Sequence, residues 1–140
     1  MFRHILIPTD GSLLSGAAID SAMAFARSCG AQVTVLAVVE PVKAWWGEAH
    51  GGPGAVAAPE DRVSYLDEAG RRAREAGVTC RLVQVEHDHP YEAIIATATQ
   101  EGCDLIAMAS HGRRGVAALV LGSETTKVLT HSTIPVLVYR

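Results

Sequence analysis

The chain has 140 residues, a length that suits one domain, and it is 49% hydrophobic and 19% charged, so it can bury a core and is not a disordered chain. Its formal net charge of −3 argues against nucleic acid or an anionic membrane as the main partner, since both need a basic face. No apolar run reaches the roughly 18 residues of a spanning helix. The opening MFRHILIPTDGS has one early arginine but no long apolar stretch and no small-residue cleavage site, so it reads as a strand rather than a signal peptide. Cys29, Cys80 and Cys103 are scattered and form no CxxC, which suits a reduced compartment; a cytoplasmic protein is expected.

FRHILIP (2–8) is the first predicted strand, and TDGS (9–12) is turn and cap chemistry in which Asp10 or Ser12 accepts from the first helical amides. Leu14, Ala18, Ala22, Phe25, Ala26 and Cys29 recur at helical spacing, and Gly30 stops that helix. QVTVLAVV (32–39) is nearly continuous in apolar residues, as a parallel strand covered on both faces should be. Residues 41–59 hold four glycines and three prolines and read as a loop too long for a mere connector. A helix is predicted from Glu60 to Ala76, with Val63, Leu66, Gly70, Ala73 and Ala76 inward and Gly77 at its end. VTCRLVQVE (78–86) alternates enough to suggest one wet face, hence an edge strand. Pro90 opens the next helix, with Tyr91, Ile94, Ile95 and Ala98 as its stripe. DLIAMAS (104–110), a helix from about Ser123 to His131, and IPVLVY (134–139) complete a βαβαβαβαβ order. That alternation predicts a parallel sheet with helices on both faces, and no internal repeat is visible.

Ligands in such sheets sit past the carboxyl ends of the strands where the strand order reverses. PTDGS after strand 1 and SHGRRG after strand 4 compete for that place. Gly112 directly follows a strand and allows close backbone approach, while Gly122 and Ser123 stand where a helix begins, with its unpaired amides and partial positive charge. Ser123 and Thr125 add hydroxyls, and Arg113 and Arg114 add cations. These residues suit a phosphate cradle, and equally a glycine loop capped by Ser123 for structure alone.

Taken together, the chain resembles the universal stress protein family, whose ATP-binding signature is G-x-x-G-x9-G-[S/T] after the fourth strand. Here Ala109-Ser110-His111-Gly112 is followed by nine residues and then Gly122-Ser123, with ILIPTDGS (5–12) at the start and IPVLVYR at the end. The resemblance covers essentially the whole chain. It implies an open, doubly wound, Rossmann-like α/β domain over residues 1–140, a five-stranded parallel sheet ordered 3-2-1-4-5, and usually a homodimer. It implies a stress-response or signalling module that binds ATP with Mg2+ or Mn2+ and hydrolyses it slowly or not at all. Carried over by position, Pro8, Thr9 and Asp10 line the adenosine side, with Asp10 on the ribose, and Val38 meets adenine. Met108 and Ala109 lie beneath ribose and phosphates, and Gly112, Arg113, Gly122, Ser123 and Thr125 surround the triphosphate. Ala109 stands for the first motif glycine, Asp88 for a glycine two residues before Pro90, and Glu124 puts an acid in the last helix's first turn. These departures favour an alternative, a dimeric interaction scaffold without nucleotide.

Other chemistry finds less in the residues. No G-x-x-x-x-G-K-[S/T] marks a Walker-type ATPase, and no G-x-S-x-G marks a hydrolase elbow. Ser110 and His111 are adjacent and point apart on a strand, so they make no nucleophile–base pair. His87 and His89 could hold a metal but read as a polar turn, and Trp45-Trp46 as a loop anchored on its domain. The dimer is expected through Ile134 to Tyr139, an apolar edge with no charge before Arg140.

Overall fold

The apolar runs pair as parallel strands, and the helical runs cross over between them. A computed structural model describes residues 1–40, 62–110 and 121–140. In chain order it contains β1 (His4–Thr9), α1 (Leu13–Cys29), β2 (Gln32–Val39), α2 (Ser64–Ala76), β3 (Cys80–Glu86), α3 (Pro90–Gln100), β4 (Leu105–Ala109), α4 (Ser123–His131) and β5 (Val136–Tyr139). The sheet runs β3-β2-β1-β4-β5 with every pairing parallel, as expected.

Alternation along the strands divides the core in two. Ile5, Ile7, Val33, Val35, Ala37, Leu105 and Ala107 face α1 and α2. Leu6, Leu36, Val83, Val85, Ile106 and Met108 face α3 and α4. Each fully buried Ile or Leu contributes about 2 kcal/mol. Ala18, Ala22 and Ala26 give α1 a small-residue face against the sheet, with Ile19 and Met23 filling the space beside them. Two buried polar side chains of the strands are answered: His4 Nε2 bonds Thr34 Oγ1 at 2.7 Å, and Gln84 Oε1 accepts from Val63 N at 2.7 Å.

Several boundaries differ from the sequence reading. Val78 is not strand: its amide closes α2 on Ala73 O at 2.9 Å. Asp104 precedes β4 because its carboxylate clamps the amides of Arg3 and His4 at the start of β1. β5 starts two residues late, after Pro135, whose carbonyl nevertheless accepts from Ile106 N. The predicted loop at 41–59 and the start of the predicted second helix at Glu60 lie outside the described residues.

Candidate functional site

The strand order reverses at β1, with β2 on one side and β4 on the other, so the carboxyl ends of β1 and β4 border the crevice where this class of sheet binds ligands. On the β1 side, the turn into α1 is knit by short side chains. The Thr9 hydroxyl accepts from Gly11 N at 3.2 Å and meets Ser15 Oγ at 3.1 Å. Asp10 Oδ1 accepts from Ser12 N at 2.9 Å, and Ser12 Oγ caps α1 by accepting from Ser15 N at 3.1 Å. Gly11 has φ +80°, and a Cβ there would run into the Tyr65 ring, so both backbone and space demand glycine. The turn is therefore preorganised from beneath by its hydroxyls and from the side by Tyr65.

On the β4 side, Ser110 N donates to Tyr139 O at 2.8 Å, and Gly122 N donates to Ser110 O at 2.7 Å. The chain thus enters α4 directly beside the strand end. The buried Thr125 hydroxyl donates to Ala109 O at 2.9 Å and fastens the first turn of α4 to β4. Gly122, the N-cap residue, provides no side-chain cap, and Thr126 N bonds to its carbonyl at 3.0 Å. The amino end of α4 carries about half a positive charge. Glu124 does not neutralise it from within: its Oε2 accepts from Tyr91 N at 2.9 Å, so the carboxylate caps α3 instead. Lys127 stands 3.5 Å from its other oxygen.

Of the residues singled out by sequence, Thr9, Met108, Ala109 and Thr125 are buried, while Pro8, Asp10, Val38 and Gly122 are half-buried and Ser123 is exposed. Pro8, Val38 and Met108 share the α3/α4 face by strand alternation, and Thr9 and Ala109 the other. The Thr9 and Thr125 hydroxyls are both committed to local structure. Gly112, Arg113, Arg114, His111, Trp45 and Trp46 lie outside the described residues. Asp88 is exposed and, like every described non-glycine residue, has negative φ, so its turn needs no left-handed backbone. His89 N donates to His87 Nδ1 at 2.9 Å, and the two rings stand 6.1 Å apart. Among the described residues no group of three His, Cys, Asp or Glu could hold a metal. Sequence reasoning missed Ser15, Tyr65 and the Glu124 cap; the Ser12-x-x-Ser15 spacing was the only local signal among them.

The sequence matches the model of the Universal stress protein family over residues 1–140. The chain belongs to the universal stress protein family. A universal stress protein of Thermus aquaticus, from the 3' region of a sulfhydrylase gene, is 33% identical over all of both chains. The solved structure of MJ0577 superposes with a TM-score of 0.78 at 26% identity, covering 99% of this chain and 95% of that one. A universal stress protein crystallised with cAMP superposes with a TM-score of 0.72 at 23% identity, covering 99% of this chain and 97% of the other. Among the described residues of this universal stress protein, no helix is long and apolar enough to cross a membrane.

Proposed function

We propose that this universal stress protein binds an adenine nucleotide, ATP with Mg2+ or Mn2+, between the carboxyl ends of β1 and β4 and the amino end of α4. The reading is carried by one observation: the first turn of α4 has no side-chain cap from Gly122 and has its only acid turned onto Tyr91 N. An anion there completes the helix end. The cAMP complex of a structural relative supports the same ligand class. In this reading Pro8, Asp10 and Val38 take the nucleoside, Met108 and Ala109 floor the site, and Gly122, Ser123 and Thr125 take the phosphates together with Gly112 and Arg113. Thr9 and Thr125 act mainly by fixing the two turns. The metal enters with the phosphates, since Mg2+ commonly keeps waters and few protein ligands.

The Thr9, Ser15 and Thr125 hydroxyls are engaged, and Asp10 is given to the ribose, so no described group is assigned to activate water. The protein works as one cytoplasmic domain that senses or signals through its nucleotide. It pairs as a homodimer through β5, where Val136, Leu137, Val138 and Tyr139 are each only half-buried at a sheet edge. Mass spectrometry of the purified, denatured protein tests the ligand class. ATP, ADP or AMP supports the proposal; a co-purified flavin contradicts it.

A further inference from the structure

At the opposite edge of the sheet from β5, a cavity of about 260 Å³ opens between β3, the end of α3 and Arg62. Its floor is apolar, made by Val83 and Val85, while Leu82 contributes its backbone carbonyl. Its polar groups have an unusual balance. Thr97 is only 6% exposed, yet its hydroxyl makes no hydrogen bond among the described residues and lines the cavity. Arg62 donates one Nη to Leu82 O at 3.2 Å, while its Nε is buried with no partner. Arg81 is paired with Glu101 at 3.3 Å, the only acid in the lining among the described residues. Among the described residues two guanidinium groups therefore face one carboxylate, an excess of one positive charge. Buried donors without acceptors are costly and uncommon in folded proteins. Here Arg62 Nε is such a donor, and the Thr97 hydroxyl, from a separate element, opens into the same cavity.

We propose that this cavity binds a small organic carboxylate with a short aliphatic chain. The guanidinium of Arg62 and the Thr97 hydroxyl hold the carboxylate. The aliphatic chain lies on Val83 and Val85. The volume is roughly that of nine waters at about 30 Å³ each, which admits a short acid and is below the usual range of drug-sized pockets. β2 separates β3 from β1, so the cavity is independent of the nucleotide crevice and does not depend on that proposal.

Hexanoate is the probe, titrated into the whole protein and followed by the amide resonances of Val83, Val85 and Thr97. The expected result is a saturable shift of these amides. Thr97→Val and Arg62→Leu should each weaken it by about tenfold or more, as losing a hydrogen bond to a charged group does. Arg62→Lys, which keeps the charge but not the planar fork, should also weaken it and stands in if Arg62→Leu melts uncooperatively. Saturating Mg-ATP should leave hexanoate affinity unchanged. Hexanol binding as tightly as hexanoate would reduce the cavity to an apolar void. Competition by inorganic phosphate, displacement by ATP, or wild-type affinity in folded Thr97→Val and Arg62 variants would each overturn the proposal.

Discussion

Glu124 and Asp104 each commit a carboxylate to backbone amides far away in sequence. Tyr91, capped by Glu124, is 33 residues distant, and Arg3, clamped by Asp104, is 101. Glu124→Ala should lower stability by about 1 kcal/mol, the usual worth of a helix cap, in urea unfolding. It should not weaken ATP, because the lost charge lies near the phosphates; a clear loss of nucleotide affinity would put Glu124 in the site itself. For Asp104, partial burial pushes the carboxyl up, but the amides of His4, Arg3 and its own residue outweigh it and keep the pKa below the ordinary 3.8. A carboxyl lowered on folding stabilises the protein above its unfolded pKa, and that contribution fades as pH falls through the folded value. Asp104→Asn should therefore be less stable than wild type at neutral pH, and the gap in thermal midpoint should close only in acid below about pH 3.8. An equal gap at every pH would show that packing, not charge, accounts for the clamp.

Alternating strand and helix patterns made the order of elements legible, and with it the sheet. Gly30 and Gly77 end their helices where the sequence places them, and Pro90 opens α3. Boundaries were less legible wherever a long-range bond decides them, as with Val78 on Ala73 and Asp104 on Arg3. The same limit applies at the candidate site. Residue types at Thr125 and Glu124 are plain, but nothing local says that one hydroxyl reaches back to Ala109 or that one acid turns to Tyr91. Asp88 stands where the resemblance has a glycine, yet its backbone stays in the ordinary region. α4 offers a direct check on this geometry. Thr125→Val keeps the shape and removes the clamp on β4, so it should cost about 1 kcal/mol of stability. Nucleotide affinity should fall with it, because the helix end is no longer fixed against the strand. Unchanged stability would mean that the hydroxyl's bond to Ala109 contributes nothing net.

Assembly follows from the two ends of the sheet. Arg62 reaches the β3 edge, and Arg81 stands on it. β5 has four apolar, half-buried residues and meets charge only at the exposed Arg140. In the proposed dimer a second copy of β5, about a two-fold axis, would cover it and close the assembly. Light scattering should find a dimer at micromolar concentration, and Val138→Glu should give monomer or aggregate; a monomeric wild type would remove the β5 pairing. Function as a binding module rather than an enzyme predicts ATP turnover far below the ordinary ~10 per second. Sustained turnover at that rate would require a general base, with His111 the first residue to replace.

Calorimetric titration of Mg-ATP into wild type and Gly122→Val bears most directly on nucleotide binding at the α4 end. Wild type should show saturable micromolar binding, roughly −8 kcal/mol. The added side chain should abolish it by blocking the phosphates' approach, while the far-ultraviolet circular dichroism stays native. No heat and no thermal shift with millimolar Mg-ATP in wild type would contradict nucleotide binding, and undiminished affinity in a folded Gly122→Val would place the nucleotide elsewhere.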